Sequence, residues 1–134
     1  MREILFRGKR VDNGEWVYGD FLTDGIDYTT AIRVHNANGF GTVIAVIPET
    51  VGQYTGLPDK NGKKIFEGDI VKTKKYGKII EHSCVNDYDI FKVVYEPCVF
   101  RLKNAHRGFN LVGNGVEYEV IGNIHDNPEL LKGE

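Results

Sequence analysis

The chain has 134 residues, of which 41% are hydrophobic and 27% charged, a balance that suits one compact globular unit and is too apolar for a disordered chain. Seventeen Lys and Arg against nineteen Asp and Glu leave a net charge of −2, so no overall field draws the molecule onto nucleic acid or an anionic membrane. No apolar run approaches the roughly 20 residues that cross a bilayer, and the charged start, Met1 to Gly8, does not read as a signal peptide, so a cytoplasmic site of action is expected. In that compartment Cys84 and Cys98 are expected to stay reduced.

Sixteen glycines imply many tight turns. Asn-Gly, the strongest hairpin signal because a type I′ turn needs positive φ at both central residues, occurs at Asn13-Gly14, Asn38-Gly39, Asn61-Gly62 and Asn114-Gly115. The first joins a strand from Ile4 to Val11 to one from Trp16 to Leu22. The second joins Tyr28 to His35 with the β-branched run Thr42 to Ile47, which Pro48 closes. Residues Val51 to Glu67 carry Gly52, Gly56, Pro58, Asn61 and Gly62 and read as a turn-rich connection.

Beyond it, Asp69 to Thr73 reads as a strand that turns at Tyr76-Gly77 and returns over Lys78 to Cys84, with Val85 to Asp89 as loop. Phe91 to Tyr95, Cys98 to Lys103 and Val116 to Ile124 give three more strands. The tail, Asp126-Asn127-Pro128-Glu129-Leu130-Leu131, predicts one helical turn, capped by Asp126 with Glu129 three residues on or by Asn127 with Pro128 in the first helical position. The expectation is a mainly β chain of antiparallel hairpins in one compact unit of residues 1–134. It has N-terminal hairpins over 1–50, a connection over 51–67, and a partly open barrel or pseudo-barrel over 68–134 that ends in the helical turn.

Few residues offer chemistry. His82 and Cys84 fall on one face of a predicted strand, and with Cys98 and His106 they form the one candidate metal set, but their spacing fits no zinc pattern. Gly39-Phe40-Gly41 and Gly113-Asn114-Gly115 do not continue as a phosphate-binding G-x-G-x-x-G into a helix. His125 beside Asp126 is better explained by the cap than by an acid-base pair. No catalytic residue, cofactor or metal is therefore expected.

The local feature with functional colour is basic: Lys60, Lys63, Lys64, Lys72, Lys74, Lys75 and Lys78 face only Asp59, Glu67 and Asp69 within residues 59–78. A ribbon of Lys72, Lys74, Lys75 and Lys78 with Tyr76 at its tip matches what a phosphate backbone requires. The same lysines also suit a solvated edge hairpin guarded against sheet-to-sheet association.

Several blocks together resemble the YopX family: Phe6-Arg7-Gly8-Lys9, Trp16-Val17-Tyr18-Gly19, Thr50-Val51-Gly52-Gln53-Tyr54-Thr55-Gly56-Leu57 with Asp59-Lys60-Asn61-Gly62, Ile65-Phe66-Glu67-Gly68-Asp69-Ile70-Val71, and Val120-Ile121-Gly122-Asn123-Ile124 with Asp126 to Leu131. They come in the family order over nearly the whole chain, whereas Cys84 to Arg107 matches no block. The resemblance implies a phage or prophage origin, work in the cytoplasm of a bacterial host, and an SH3-like barrel in the later part. It carries over no catalytic residue, cofactor or partner.

Three functions follow as expectations. The first is a non-enzymatic accessory protein that binds a phage or host protein or its own copies through exposed strand edges. The second is a nucleic-acid-binding module using the Lys72 to Lys78 hairpin. The third, a metal-dependent hydrolase, would need His82, Cys84, Cys98 and His106 to converge.

Overall fold

The computed structural model describes residues 3–23, 30–35, 39, 41–74, 88–104, 108–111 and 117–131. The chain divides into two compact units, Met1–Gly56 and Leu57–Glu134. Among the described residues no helix is long and apolar enough to cross a membrane.

In the first unit, strands β1 (Phe6–Lys9), β2 (Trp16–Thr23), β3 (Thr30–His35), β4 (Gly41–Ala45) and the start of β5 (Gly52–Pro58) pair in the order β4-β3-β2-β1-β5. Directly opposed residues share a face, so Phe21, Ile32 and Ile44 line one side while Asp20, Arg33 and Val43 line the other. The first side holds the buried Ile32 and Val46, and Phe6 and Phe21 stack there with centroids 5.5 Å apart. Gly8 is a glycine because Val46 lies over it: a Cβ there would come within 3.0 Å of the Val46 side chain. On the second side the guanidinium of the buried Arg7 sits 4.5 Å from the Trp16 ring centroid, a cation–π contact.

After β4 the chain turns back on itself. Arg10 bridges Val46, and a 3₁₀ turn at Pro48–Thr50 follows. The Thr50 hydroxyl donates to Ile47 O at 2.6 Å and accepts the Lys9 N–H at 2.9 Å, which fixes the turn against β1.

In the second unit the end of β5 pairs with β6 (Lys64–Phe66), and β7 (Asp69–Lys74), β8 (Tyr88–Glu96), β9 (Val99–Lys103), β10 (Gly108–Asn110) and β11 (Tyr118–Asn123) form a sheet in the order β10-β9-β8-β7-β11. Neighbours are antiparallel throughout. Register puts Val71 opposite both Phe91 and Val120, and Val93 opposite Leu102, so one face collects Val71, Phe91, Val93, Leu102 and Tyr118 into a buried core with Ile65. Gly68, at φ +93, donates to Val93 O and accepts the Ile124 N–H, both at 2.8 Å. The Asp69 carboxylate then accepts the Phe66 N–H at 2.7 Å, the backbone capture expected of a turn aspartate.

The chain is mainly β and partly open, as its sequence predicts: two antiparallel sheets and no closed barrel among the described residues. Four local readings change. The stretch read as a connection, Val51 to Glu67, holds strands β5 and β6, because β5 finds a partner in β1, with Phe6 opposite Gln53 and Arg7 opposite Gly52. Asn13 and Asn61 do not take positive φ, so their turns are not type I′; Gly14 and Gly62 alone do. At Asn61 the reason is Asp59, whose Oδ1 accepts the Asn61 and Lys63 N–H groups and holds a right-handed turn closed by the left-handed Gly62.

Cys98 lies in the β8–β9 turn rather than in a strand. The last turn, Pro128–Leu131, takes the second of the two caps the sequence offers: it follows Asn127, whose carbonyl accepts the Leu130 N–H at 3.1 Å. Asp126 instead accepts the Asn123 side-chain amide at 3.2 Å. Of the loop predicted over Val85 to Asp89, Tyr88 and Asp89 instead open β8, opposite Lys74 and Thr73 of β7; the rest of it, and the return strand predicted over Lys78 to Cys84, lie outside the described residues.

Candidate functional site

The lysine cluster is built on the β5–β6 turn and on β7. Asp59 organises the turn: it is only 7% exposed, and besides the two turn amides it accepts the Val120 N–H from β11 at 3.0 Å. Burial works against its charge, and the N–H groups of Val120, Lys63 and Asn61, with the Lys63 ammonium, outweigh that and hold its pKa below the ordinary value. Lys60 and Lys72 converge on one carboxylate. Glu119 of β11, opposite Lys72 in register, lies 3.6 Å from Lys60 Nζ and 3.8 Å from Lys72 Nζ. Lys74 ends β7 opposite Tyr88, while Lys75, Tyr76 and Lys78 lie outside the described residues.

Of the candidate metal set only Cys98 is described. It is exposed, it stands at the second central position of the two-residue turn after Pro97, and it takes φ +72. His82, Cys84 and His106 lie outside the described residues, as do Phe40 and 113–115. Among the described residues no three His, Cys, Asp or Glu side chains gather as metal ligands. Near that turn Glu96 pairs with Lys103 and with Arg101, the latter at 3.4 Å; the Lys103 hydrogen bond, more than either charge, lowers the Glu96 pKa. The arrangement is an exposed hairpin end tied by ion pairs.

Sequence reasoning overlooked the outer side of β4. Its residues, Gly41-Thr42-Val43-Ile44-Ala45, carry no charge and no proline, and β4 is the outermost strand of its sheet. Val43 is 56% exposed. Natural edges are usually guarded by lysine, proline, a bulge or a covering loop; among the described residues β4 is covered only at its Ala45 end, where the Val11 N–H bonds Ala45 O at 3.1 Å. The signal was present in the uncharged composition of the Thr42 to Ile47 run, but composition does not say which strand ends a sheet.

A family model described as YopX protein matches residues 5–132. The chain belongs to the YopX family. The crystal structure of protein EF1440 from Enterococcus faecalis is similar over 98% of this chain and 100% of its own, with a TM-score of 0.63 at 22% identity; at that identity the likeness shows a shared fold. Among curated proteins none matches.

The blocks that mark this YopX-family chain can now be read physically. Phe6-Arg7-Gly8-Lys9 provides the ring stack with Phe21, the stack on Trp16, the space under Val46 and the bond to Thr50. In the last block a Cβ on Gly122 would meet Asn127 Oδ1 at 2.6 Å, and Asn123 Oδ1 accepts the His125 and Asp126 N–H groups at 3.0 and 2.9 Å. These positions shape turns and packing.

Proposed function

We propose that this YopX-family chain is a non-enzymatic accessory protein of phage or prophage origin that works in the cytoplasm of a bacterial host by binding other protein chains. The observation that supports this reading is the outer side of β4 at Gly41 and Val43, which no described strand covers, a template for strand addition in which backbone hydrogen bonds supply affinity and alternate side chains supply selectivity. The test compares wild-type and Val43→Lys chains as baits in host and phage-infected extracts. A charge on an exposed edge position leaves the fold intact and blocks a paired strand. The expected outcome is an unchanged melting temperature with loss of whatever wild type retains, and a Val43→Lys chain that keeps every wild-type partner sinks the reading.

A nucleic-acid role for Lys72, Lys74, Lys75, Tyr76 and Lys78 draws on the lysine-rich stretch, but Glu119 shared by Lys60 and Lys72 removes positive charge where a phosphate would sit. Oligonucleotide binding that weakens steeply with salt and with Lys74→Glu and Lys75→Glu would restore that role.

A further inference from the structure

We propose that Asn61 is a site of spontaneous deamidation, and that its isoaspartyl product opens the turn centred on Asp59. The chemistry of an Asn-Gly pair is general. The glycine peptide nitrogen loses its proton to solvent base and attacks the asparagine Cγ, the carboxamide nitrogen takes up a proton and leaves as ammonia, and water opens the resulting cyclic imide at either carbonyl to give aspartate or isoaspartate. Water is the one co-reactant. Of the four Asn-Gly pairs, Asn13-Gly14 and Asn61-Gly62 are described in full, and they differ where the reaction is sensitive.

The nucleophiles are matched. Gly14 N–H bonds Arg10 O and Gly62 N–H bonds Asp59 O, both at 3.0 Å, and a Cβ on either glycine would meet nothing within 4 Å, so each nitrogen is held alike and approached freely. The electrophiles are not. Glu15 holds the Asn13 carboxamide at both ends: Oδ1 accepts the Glu15 N–H at 2.9 Å and Nδ2 donates to Glu15 Oε1 at 3.4 Å, and swinging Cγ onto the Gly14 nitrogen breaks both bonds. Asn61 is exposed, and only its backbone N–H is engaged, with Asp59 Oδ1 at 2.8 Å; among the described residues its carboxamide has no partner to give up.

Charge separates the two pairs further. The deprotonated nitrogen and the tetrahedral intermediate are anionic, and nearby cations favour an anionic form whereas carboxylates oppose it. Asn61 stands between the exposed Lys60 and Lys63, and the neighbouring Asp59 carboxylate is already committed to three N–H groups. Asn13 stands between Asp12 and Glu15, of which only Asp12 is paired with Arg10, at 2.8 Å.

The product matters because of where it forms. Asp59 N–H bonds Lys63 O at 2.7 Å and Gly62 N–H bonds Asp59 O, while Asp59 Oδ1 accepts the Asn61 and Lys63 N–H groups. Isoaspartate routes the backbone through Cβ and Cγ, one atom longer, and a turn of that length cannot keep all four bonds. Aspartate adds the same negative charge beside Lys60 and Lys63 but leaves the backbone path unchanged.

The full-length protein is aged at neutral and mildly alkaline pH, digested in mild acid, and its peptides are read by mass spectrometry with electron-transfer fragmentation, which tells isoaspartate from aspartate. Conversion at Asn61 is expected to run roughly fivefold or more faster than at Asn13, to rise with pH and to be independent of protein concentration. Glu15→Ala, which removes one bond and one carboxylate from Asn13, is expected to speed Asn13 and narrow the gap. The isoaspartyl form, separated by ion exchange, is expected to melt below Asn61→Asp, which carries the same charge on a backbone of normal length. An Asn61 that stays intact, an Asn13 that converts as fast or faster, or an isoaspartyl form whose melting coincides with that of Asn61→Asp overturns the proposal.

Discussion

Removing the Asp59 carboxylate breaks a junction between the β5–β6 turn and β11. Its two oxygens accept three backbone N–H groups, from Asn61 at 2.8 Å, Lys63 at 2.9 Å and Val120 at 3.0 Å. At about 1 kcal/mol net for each hydrogen bond, Asp59→Ala costs about 3 kcal/mol, a fall in melting temperature on the order of 10 °C for a chain of this size. The pH dependence has a definite sign. The folded pKa lies below the ordinary 3.8, so the stabilisation is fully present above the unfolded pKa and is lost as pH falls through the folded one. Thermal unfolding of wild type and Asp59→Ala at neutral and at acid pH reads both effects. The gap is expected to be wide at pH 7 and to close below the ordinary carboxylate range; melting curves that coincide at pH 7, or a gap that stays constant into acid, would refute the reasoning.

Three further outcomes are expected. Gly19→Ala places a Cβ 1.9 Å from the Arg33 carbonyl oxygen, which the backbone can relieve only by parting β2 from β3, so chemical denaturation should show a loss of about 3 kcal/mol or more. Cys98→Gly relieves a left-handed non-glycine residue at φ +72; the strain of about 1–2 kcal/mol, less the roughly 0.5–1 kcal/mol entropy cost of glycine, gives a net change between about 0 and 1.5 kcal/mol in favour of the variant in the same assay, and a clear loss of stability would refute it. Glu119→Gln frees Lys60 and Lys72 from their shared carboxylate, and any oligonucleotide affinity of the lysine surface should rise with a steeper dependence on salt; affinity that stays level after this change would show that these two lysines touch no phosphate.

The sequence announces where the chain bends more clearly than how. Asn13-Gly14 and Asn61-Gly62 both mark hairpins, yet the turn type at 61 is set by Asp59, a side chain outside the dipeptide. β5 was hidden because Gly52, Gly56 and Pro58 punctuate it locally, and it is a strand because β1 lies beside it. The lysine surface was visible as a run of charge, whereas Glu119, which tempers it, is close only through the β7–β11 pairing. The β4 run was readable as a strand but not as an edge, since neighbour order is decided by contacts far apart along the chain.

The pairing of β7 with β11 also orders events during synthesis. As the chain leaves the ribosome, β7, β8, β9 and β10 can zip together hairpin by hairpin, but the other flank of β7 waits for Tyr118–Asn123. Asp59 waits as well, because Val120 supplies its third donor. Contacts so distant in sequence slow folding, so the nascent second unit must persist half-assembled, one flank bare, until nearly all of it has been translated.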